Sequence, residues 1–365
     1  MSFPPSGHAH QASAIASRLF LASLATAELM TVYLGLRLGL YDALAASGPL
    51  TVAGLGTGAG IDERYAQEWL EQQAAAGLVE VDDTERPAGD RVYTLPSGHA
   101  EALTRPDSPY SVAPMALLPV GGIAGVLPLL LDAYRTGGGV AYCAFGGDLR
   151  GGAGGLNQAV FMHHLPGWIR RALPDVHGRL AAGASIADVA CGSGWSSIAL
   201  ARAYPAATVH GFDLDPRSVA DARGNAAAAG VGDRVGFAVR DAAEPDLAGR
   251  YDLVCLFDAL HDMAQPVAVL RACRSLRRED GGCVLLMEPR AAERAAAPAD
   301  EIERFLYAVS VLHCLPVGRS EQPSAATGTV LRPAAVQALA REAGFDRAVP
   351  LPVEHRFHRL YRLTG

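Results

Sequence analysis

At 365 residues the chain is long enough for two domains, each able to bury its own core. Half of its residues are hydrophobic and 19% are charged, as in an ordinary globular enzyme, and the net charge of −7 argues against a nucleic-acid partner. All 31 basic residues are arginine, which excludes Schiff-base chemistry through a lysine.

From Ala14 to Ser47 apolar residues recur at spacings of three and four, predicting helix that stops at Gly48-Pro49. The next stretch reads as a short helix, a Gly-rich turn and a second helix from about Asp62 to Ala76. "GLVEV" and "RVYTL" then predict a β-hairpin with "DDTERPAGD" at its tip. Helix-turn-helix plus hairpin is a winged helix, whose first meaning is DNA binding. Here the would-be recognition helix carries Asp62, Glu63, Glu68 and Glu71 against Arg64, and the wing adds Asp82, Asp83 and Glu85. Phosphates would be repelled, so a dimerisation and substrate-covering module is expected instead.

Ser111 to Leu131 is uncharged and nominally long enough to span a bilayer. Pro114, Pro119 and Pro128, with Gly121, Gly122 and Gly125, predict a repeatedly broken, buried helix-and-turn segment, and no membrane association is expected. The N-terminus has no basic segment leading into an apolar one, so no signal peptide is read. Cys143, Cys191, Cys255, Cys273, Cys283 and Cys314 form no CxxC pair; buried thiols in a reducing cytoplasm explain them. Gly137 to Gly155 is Gly-rich and marks the expected boundary between a helical winged-helix domain, 1–154, and a second domain, 155–365.

From about Pro166 short apolar runs alternate with helices: "SIADVA", "TVHGFDLD", "RVGFAVRD", "YDLVCLF" and "GGCVLLMEP". This pattern predicts a parallel sheet wound on both faces, a Rossmann-like α/β fold, closed by "AVPLPVE" and "RFHRLYRL" as a hairpin. The first strand ends "ADVACGSGW", with Asp188, Gly192 and Gly194; a GxG alone is weak evidence for a nucleotide, and the third glycine of the nicotinamide fingerprint is missing. Asp213 closes the second strand 19 residues after Gly194, where a carboxylate can accept ribose hydroxyls. Asp241 closes the third, placed to take an adenine amino proton.

With these strand ends the chain resembles the class I S-adenosylmethionine-dependent methyltransferases over roughly residues 155 to 365, and the winged-helix front end resembles their dimeric small-molecule subgroup. "DVACGSG" stands where the family has D-x-G-x-G-x-G, so Ala190 replaces the first glycine. The resemblance implies a cofactor site of Asp188, Ala190, Gly192, Gly194, Asp213, Leu214, Asp241, Ala242 and Phe257, and a homodimer.

The fourth strand, "YDLVCLFDALHDM", ends in His261 and Asp262, which the resemblance puts near the transferring methyl. A helix cap, a general base and half a metal site are all open readings. "LHDM" resembles the "HDW" segment of plant-type O-methyltransferases, in which the histidine removes the substrate proton. His313, in the apolar stretch "FLYAVSVLHCLP", is read either as a satisfied core histidine or as a ligand. The set His261, Asp262 and His313, with its 52-residue spacing, resembles the iron-dependent phenylpyruvate C-methyltransferases, which methylate the β-carbon of 2-oxo acids used in nonribosomal peptide assembly. That resemblance implies a facial triad for one divalent or ferric ion, iron or zinc. It also implies a 2-oxo acid substrate whose carboxylate needs an arginine. Arg135 is the candidate, a plain surface arginine being the alternative. Tyr307 or a metal-bound hydroxide is the candidate for the β-proton base. His163-His164 cannot share one ion on a helix, because neighbours diverge by about 100°.

Overall fold

The computed structural model describes residues 7–241 and 247–365. The chain packs as two compact units, 1–121 and 122–365.

In the first unit α1 (Gly7–Arg37) and α2 (Leu40–Ser47) replace the single helix expected over 14–47. The break falls at Gly39, whose φ of +67° suits a residue without a side chain. Helices α3 (Val52–Ala59) and α4 (Glu63–Ala75) follow as expected, with Thr51 and Asp62 capping their first turns. The hairpin strands β1 (Glu80–Val81) and β2 (Tyr93–Thr94) are only two residues each, and Leu50 adds a backbone bridge to Tyr93. Tyr41, Leu44, Leu55, Trp69, Leu70 and Tyr93 form the core of this unit. Helix α1 contributes little to it: Ile15, Leu19, Phe20, Leu21 and Leu24 are all exposed. Two helical stretches, His8–Arg37 and Pro114–Thr136, are apolar and long enough to cross a bilayer.

The 111–131 stretch corrects the expectation of repeated breaks. Residues 114–136 stay helical by changing pitch: a short α-turn, a π-helical segment Leu117–Ile123, a 3₁₀ turn Ala124–Val126, then α-helix Leu127–Thr136. Shifts of this kind re-register the backbone where proline withholds a donor. Gly122 is needed for a second reason: a Cβ there would lie 2.9 Å from the backbone of Leu149.

The second unit holds a seven-stranded sheet of order β5-β4-β3-β6-β7-β9-β8. Its strands are β3 (Ser185–Val189), β4 (Thr208–Asp213), β5 (Val235–Val239), β6 (Leu253–Phe257), β7 (Cys283–Pro289), β8 (Arg347–Pro350) and β9 (His358–Thr364). β3 to β7 are parallel, and β9 runs antiparallel between β7 and β8. β6 and β7 are buried at every residue, as strands covered on both faces must be. Strand order reverses at β3, so the crevice for a ligand opens at the carboxyl ends of β3 and β6.

The boundary expected near 155 falls inside a helix, Gly146–His163. Its glycines read as linker by composition. Leu149, Gln158 and Phe161 are nevertheless buried, and Gly154 approaches the loop after β3 so closely that a Cβ would meet Ser193 Oγ at 2.3 Å. Packing overrides propensity here.

Candidate active site

The loop after β3 is built around two carboxylates. Asp188 is 1% exposed, and the hydroxyls of Ser196 and Ser197 each donate to its Oδ2 at 2.6 Å. Burial pushes its carboxyl up to about 6 against the pull of those hydroxyls. Asp213, at the end of β4, accepts the Gly192 N–H on Oδ2 and the Asp215 N–H on Oδ1, both at 2.9 Å. It thereby clamps the Gly loop while each oxygen keeps a second lone pair. Gly194 has φ +81°, and a Cβ there would strike Phe237 at 2.7 Å. A Cβ on Gly192 would meet nothing within 4 Å, so the loop faces open space at that residue. Ala190 adopts φ +54°, a left-handed conformation that costs an L-residue roughly 1–2 kcal/mol.

Of the other cofactor candidates, Leu214 lies 69% exposed beside Asp213 and Asp241 is exposed after β5. Phe257 is buried at the end of β6, its ring 5.7 Å from that of Phe161. Ala242 lies outside the described residues.

Beyond β6 the chain bends sharply. Asp258 takes φ +53° and its Oδ2 accepts the Asn157 side-chain N–H at 2.9 Å. A 3₁₀ turn, Leu260–Asp262, then presents His261 and Asp262. His261 is 4% exposed, and its Nδ1 lies 2.8 Å from Oε2 of Glu288, which is fully buried at the end of β7. The other Glu288 oxygen accepts the Leu260 N–H at 3.0 Å. Burial alone would depress the His261 pKa, but the Glu288 carboxylate overrides it and holds the imidazole well above its ordinary value. Burial raises Asp262 to about 7, with His261 pulling the other way and Glu288 adding to the rise.

His313 and Cys314 come from a second π-helical segment, Ser310–Cys314. The ring of His313 packs edge-on to Phe145 at 4.6 Å and stands 6.0 Å from Tyr142. Its Nδ1 is buried without a hydrogen-bond partner, and burial pushes its pKa down to about 4. Among the described residues one set of ligand atoms converges: those of His261, Asp262 and Cys314 all lie within 4.8 Å of one another, a set that does not include His313.

Two candidates sit elsewhere. Arg135 is a surface residue with a 70% exposed side chain, paired to Asp132 at 3.0 Å; its helix turns it to solvent, so it does not join the buried cluster. Tyr307 is 44% exposed, and its hydroxyl accepts from Arg332 at 3.2 Å. Sequence reasoning missed Glu288, Cys314 and Asn157. Only Glu288 carried a signal, as the single charge in a strand otherwise apolar.

This arrangement, a Gly loop clamped at the reversal of a parallel sheet with a buried His-carboxylate pair one strand over, agrees with comparison to known proteins. Residues 186–281 match the methyltransferase-domain family, and residues 25–105 match the Rv2258c-like winged HTH domain. The chain thus carries a methyltransferase domain behind a winged helix-turn-helix domain and is an S-adenosylmethionine-dependent methyltransferase. It is 28% identical over 199 residues to the ubiquinone biosynthesis O-methyltransferase of Bordetella avium (strain 197N), covering 54% of this chain and 75% of that one. Four more relatives of that name align over 53% to 68% of their own length. Its fold is shared with the mitomycin 7-O-methyltransferase MmcR (TM-score 0.69, 20% identity, 98% of this chain and 99% of that one). It is shared also with human N-acetylserotonin methyltransferase, solved in complex with SAM (TM-score 0.68, 20% identity, 100% of both chains).

Proposed function

We propose that the enzyme transfers the methyl group of S-adenosylmethionine to the β-carbon of a 2-oxo acid, phenylpyruvate-like or branched aliphatic, at a metal ion held by His261, Asp262 and His313. The observation that carries this reading is the orphaned Nδ1 of His313, buried with no hydrogen-bond partner in a ring that feels the charge of His261. A buried polar atom left unpaired costs about 1–3 kcal/mol, and a cation would repay it. The donor set fits: imidazole and carboxylate are the ligands of non-haem iron and of zinc. When bound, such an ion acts as a Lewis acid toward the oxygens of a 2-oxo acid, whose β C–H is otherwise too weakly acidic.

The chain's own residues supply the rest. Glu288 accepts the Nδ1–H of His261 and fixes the ring, so that Nε2 is the atom that would coordinate once a bound ion displaces its proton. Asp213 holds the loop at Gly192 against which the donor would lie, and Asp188 holds the start of the following helix through Ser196 and Ser197. Positioning donor and acceptor in line accounts for much of the rate in such transfers. Neither Arg135 nor another arginine is assigned to the substrate carboxylate.

A second reading has its own support. Glu288 behind His261 is also the arrangement that orients a general base, and the proteins compared above are O-methyltransferases by name. In that reading His261 takes the proton of a phenol and no metal is needed. The separating experiment measures metal content of the purified protein, then product mass and β-proton NMR after incubation with donor and a panel of 2-oxo acids and phenols. Bound iron or zinc with turnover of a 2-oxo acid is expected. A metal-free protein that turns over only phenols would reverse the ranking. The exposed apolar side chains of α1 further support a homodimer.

A further inference from the structure

We infer that Cys314 is a ligand of the same ion, so that the site is a thiolate-containing one selective for thiophilic first-row metals over magnesium, calcium or manganese. This rests on the metal reading above. A single ion bound at about 2.0–2.3 Å from nitrogen, oxygen and sulfur donors holds those donors roughly 3–4 Å apart. The ligand atoms of His261, Asp262 and Cys314 already lie within 4.8 Å of one another, so a small closure completes the set.

The segment that carries Cys314 explains why it joins the cluster. His313 and Cys314 are consecutive on a helical turn, so their side chains diverge in direction. The His313 ring is held edge-on against Phe145, while Cys314 faces His261. Its surroundings differ from those of the other buried thiols. Cys191, Cys255 and Cys283 belong to one apolar core and Cys273 to the other, where a thiol packs as a small hydrophobe. Cys314, 4% exposed, instead meets an imidazole and a carboxylate. The converged set is then His261, Asp262 and Cys314, a three-donor His-Asp-Cys site. Thiolate in such a set favours zinc, iron and cobalt over hard cations.

The test uses the whole chain stripped with a chelator and reloaded with Co²⁺. The wild-type protein should show a near-ultraviolet thiolate-to-cobalt charge-transfer band beside the visible cobalt bands. In Cys314→Ser that band should vanish while cobalt remains bound at least tenfold more weakly, and His313→Ala should keep it. Visible cobalt bands without charge transfer in the wild type would overturn the thiolate ligand and leave the metal reading standing. No cobalt binding at all would remove both. Should Cys314→Ser fail to fold, cobalt-edge X-ray absorption of the wild type decides the matter: sulfur in the coordination sphere supports the inference, and nitrogen and oxygen alone overturn it.

Discussion

The imidazole of His261 and the carboxylate of Glu288 face each other across the ends of two adjacent strands, 2.8 Å apart and both shut off from solvent. Glu288 also caps the turn that presents His261, through the Leu260 N–H. One carboxylate therefore sets both the position of the ring and its tautomer. In Glu288→Gln the amide can still accept from Leu260, but it offers an N–H to His261 Nδ1 and so moves the ring proton to Nε2. The expected result is a folded enzyme with activity down about 10–100-fold, the range found when such supporting partners are changed. Glu288→Ala leaves a buried histidine and a buried amide uncompensated, and should cost about 3–5 kcal/mol in urea unfolding. Full activity in Glu288→Gln would mean that the tautomer is irrelevant to the reaction.

A resident ion predicts a linked stability. Removal by a chelator should lower the unfolding midpoint, and readdition of iron or zinc should restore it, by about 2.7 kcal/mol at a hundred times the dissociation constant. Asp262→Asn should lose this response. Unchanged melting of the wild-type protein with and without chelator would argue for the metal-free base.

The glycines of the cofactor loop divide by what their missing Cβ would meet. Gly194→Ala faces both a left-handed φ and a 2.7 Å clash with Phe237, and should cost roughly 2–4 kcal/mol. Gly192→Ala has only its φ of +53° to pay, roughly 1–2 kcal/mol, because its Cβ enters open space. That open space is where the donor is expected. Gly192→Ala should therefore weaken S-adenosylhomocysteine binding by calorimetry while remaining folded. Equal affinity in the two proteins would place the donor elsewhere.

How much of this was legible beforehand depended on what carried each feature. The parallel strands announced themselves as short apolar runs leading to Asp188, Asp213 and His261, because strands buried in the middle of such a sheet favour apolar side chains. The winged helix was legible through its two helical stretches, the Gly-rich turn between them and the two apolar runs of its hairpin. The helix Gly146–His163 was not, since its glycines argue for a loop and only contacts with distant residues such as Ser193 make it helical. Glu288 was hidden inside a strand whose apolar pattern drew attention away from its one charge. Arg135 was chosen by residue type, and type says nothing of direction: its helix turns it to solvent beside Asp132. Cys314 was set aside as a core thiol because its neighbours in the chain are apolar, whereas its neighbours in space are not.

Asp188 gives a pH prediction with a definite sign. Its folded pKa, about 6, lies above the ordinary carboxylate value of 3.8, so ionisation opposes folding. The protein should be most favoured, as far as this group is concerned, below pH 4, and lose stability as pH rises through 6. At about 1.4 kcal/mol per pKa unit the full loss is on the order of 3 kcal/mol. Asp188→Asn cannot ionise but can still accept from Ser196 and Ser197. Urea midpoints measured from pH 4 to 7.5 should therefore fall more steeply for the wild type than for the variant. Parallel curves would show that Asp188 titrates as an ordinary carboxylate.

The surface of α1 supplies the last prediction. The helix has 31 residues, and the apolar window within it is only 6% buried, with Leu19, Phe20, Leu21 and Leu24 all at least 45% exposed. Exposed apolar side chains along a helix of this length are costly to leave in water: each large one fully covered returns about 1.5–3 kcal/mol. A second copy of the chain, laying its own α1 against this one, would cover it symmetrically. Light scattering should then report twice the 38.1 kDa chain mass. The pair Phe20→Glu and Leu24→Glu should bring the mass to that of one chain without unfolding it, because neither side chain belongs to the buried core. A wild-type chain that runs as a monomer at micromolar concentration, or a double variant still at twice the mass, would show that α1 is covered by something other than its own copy.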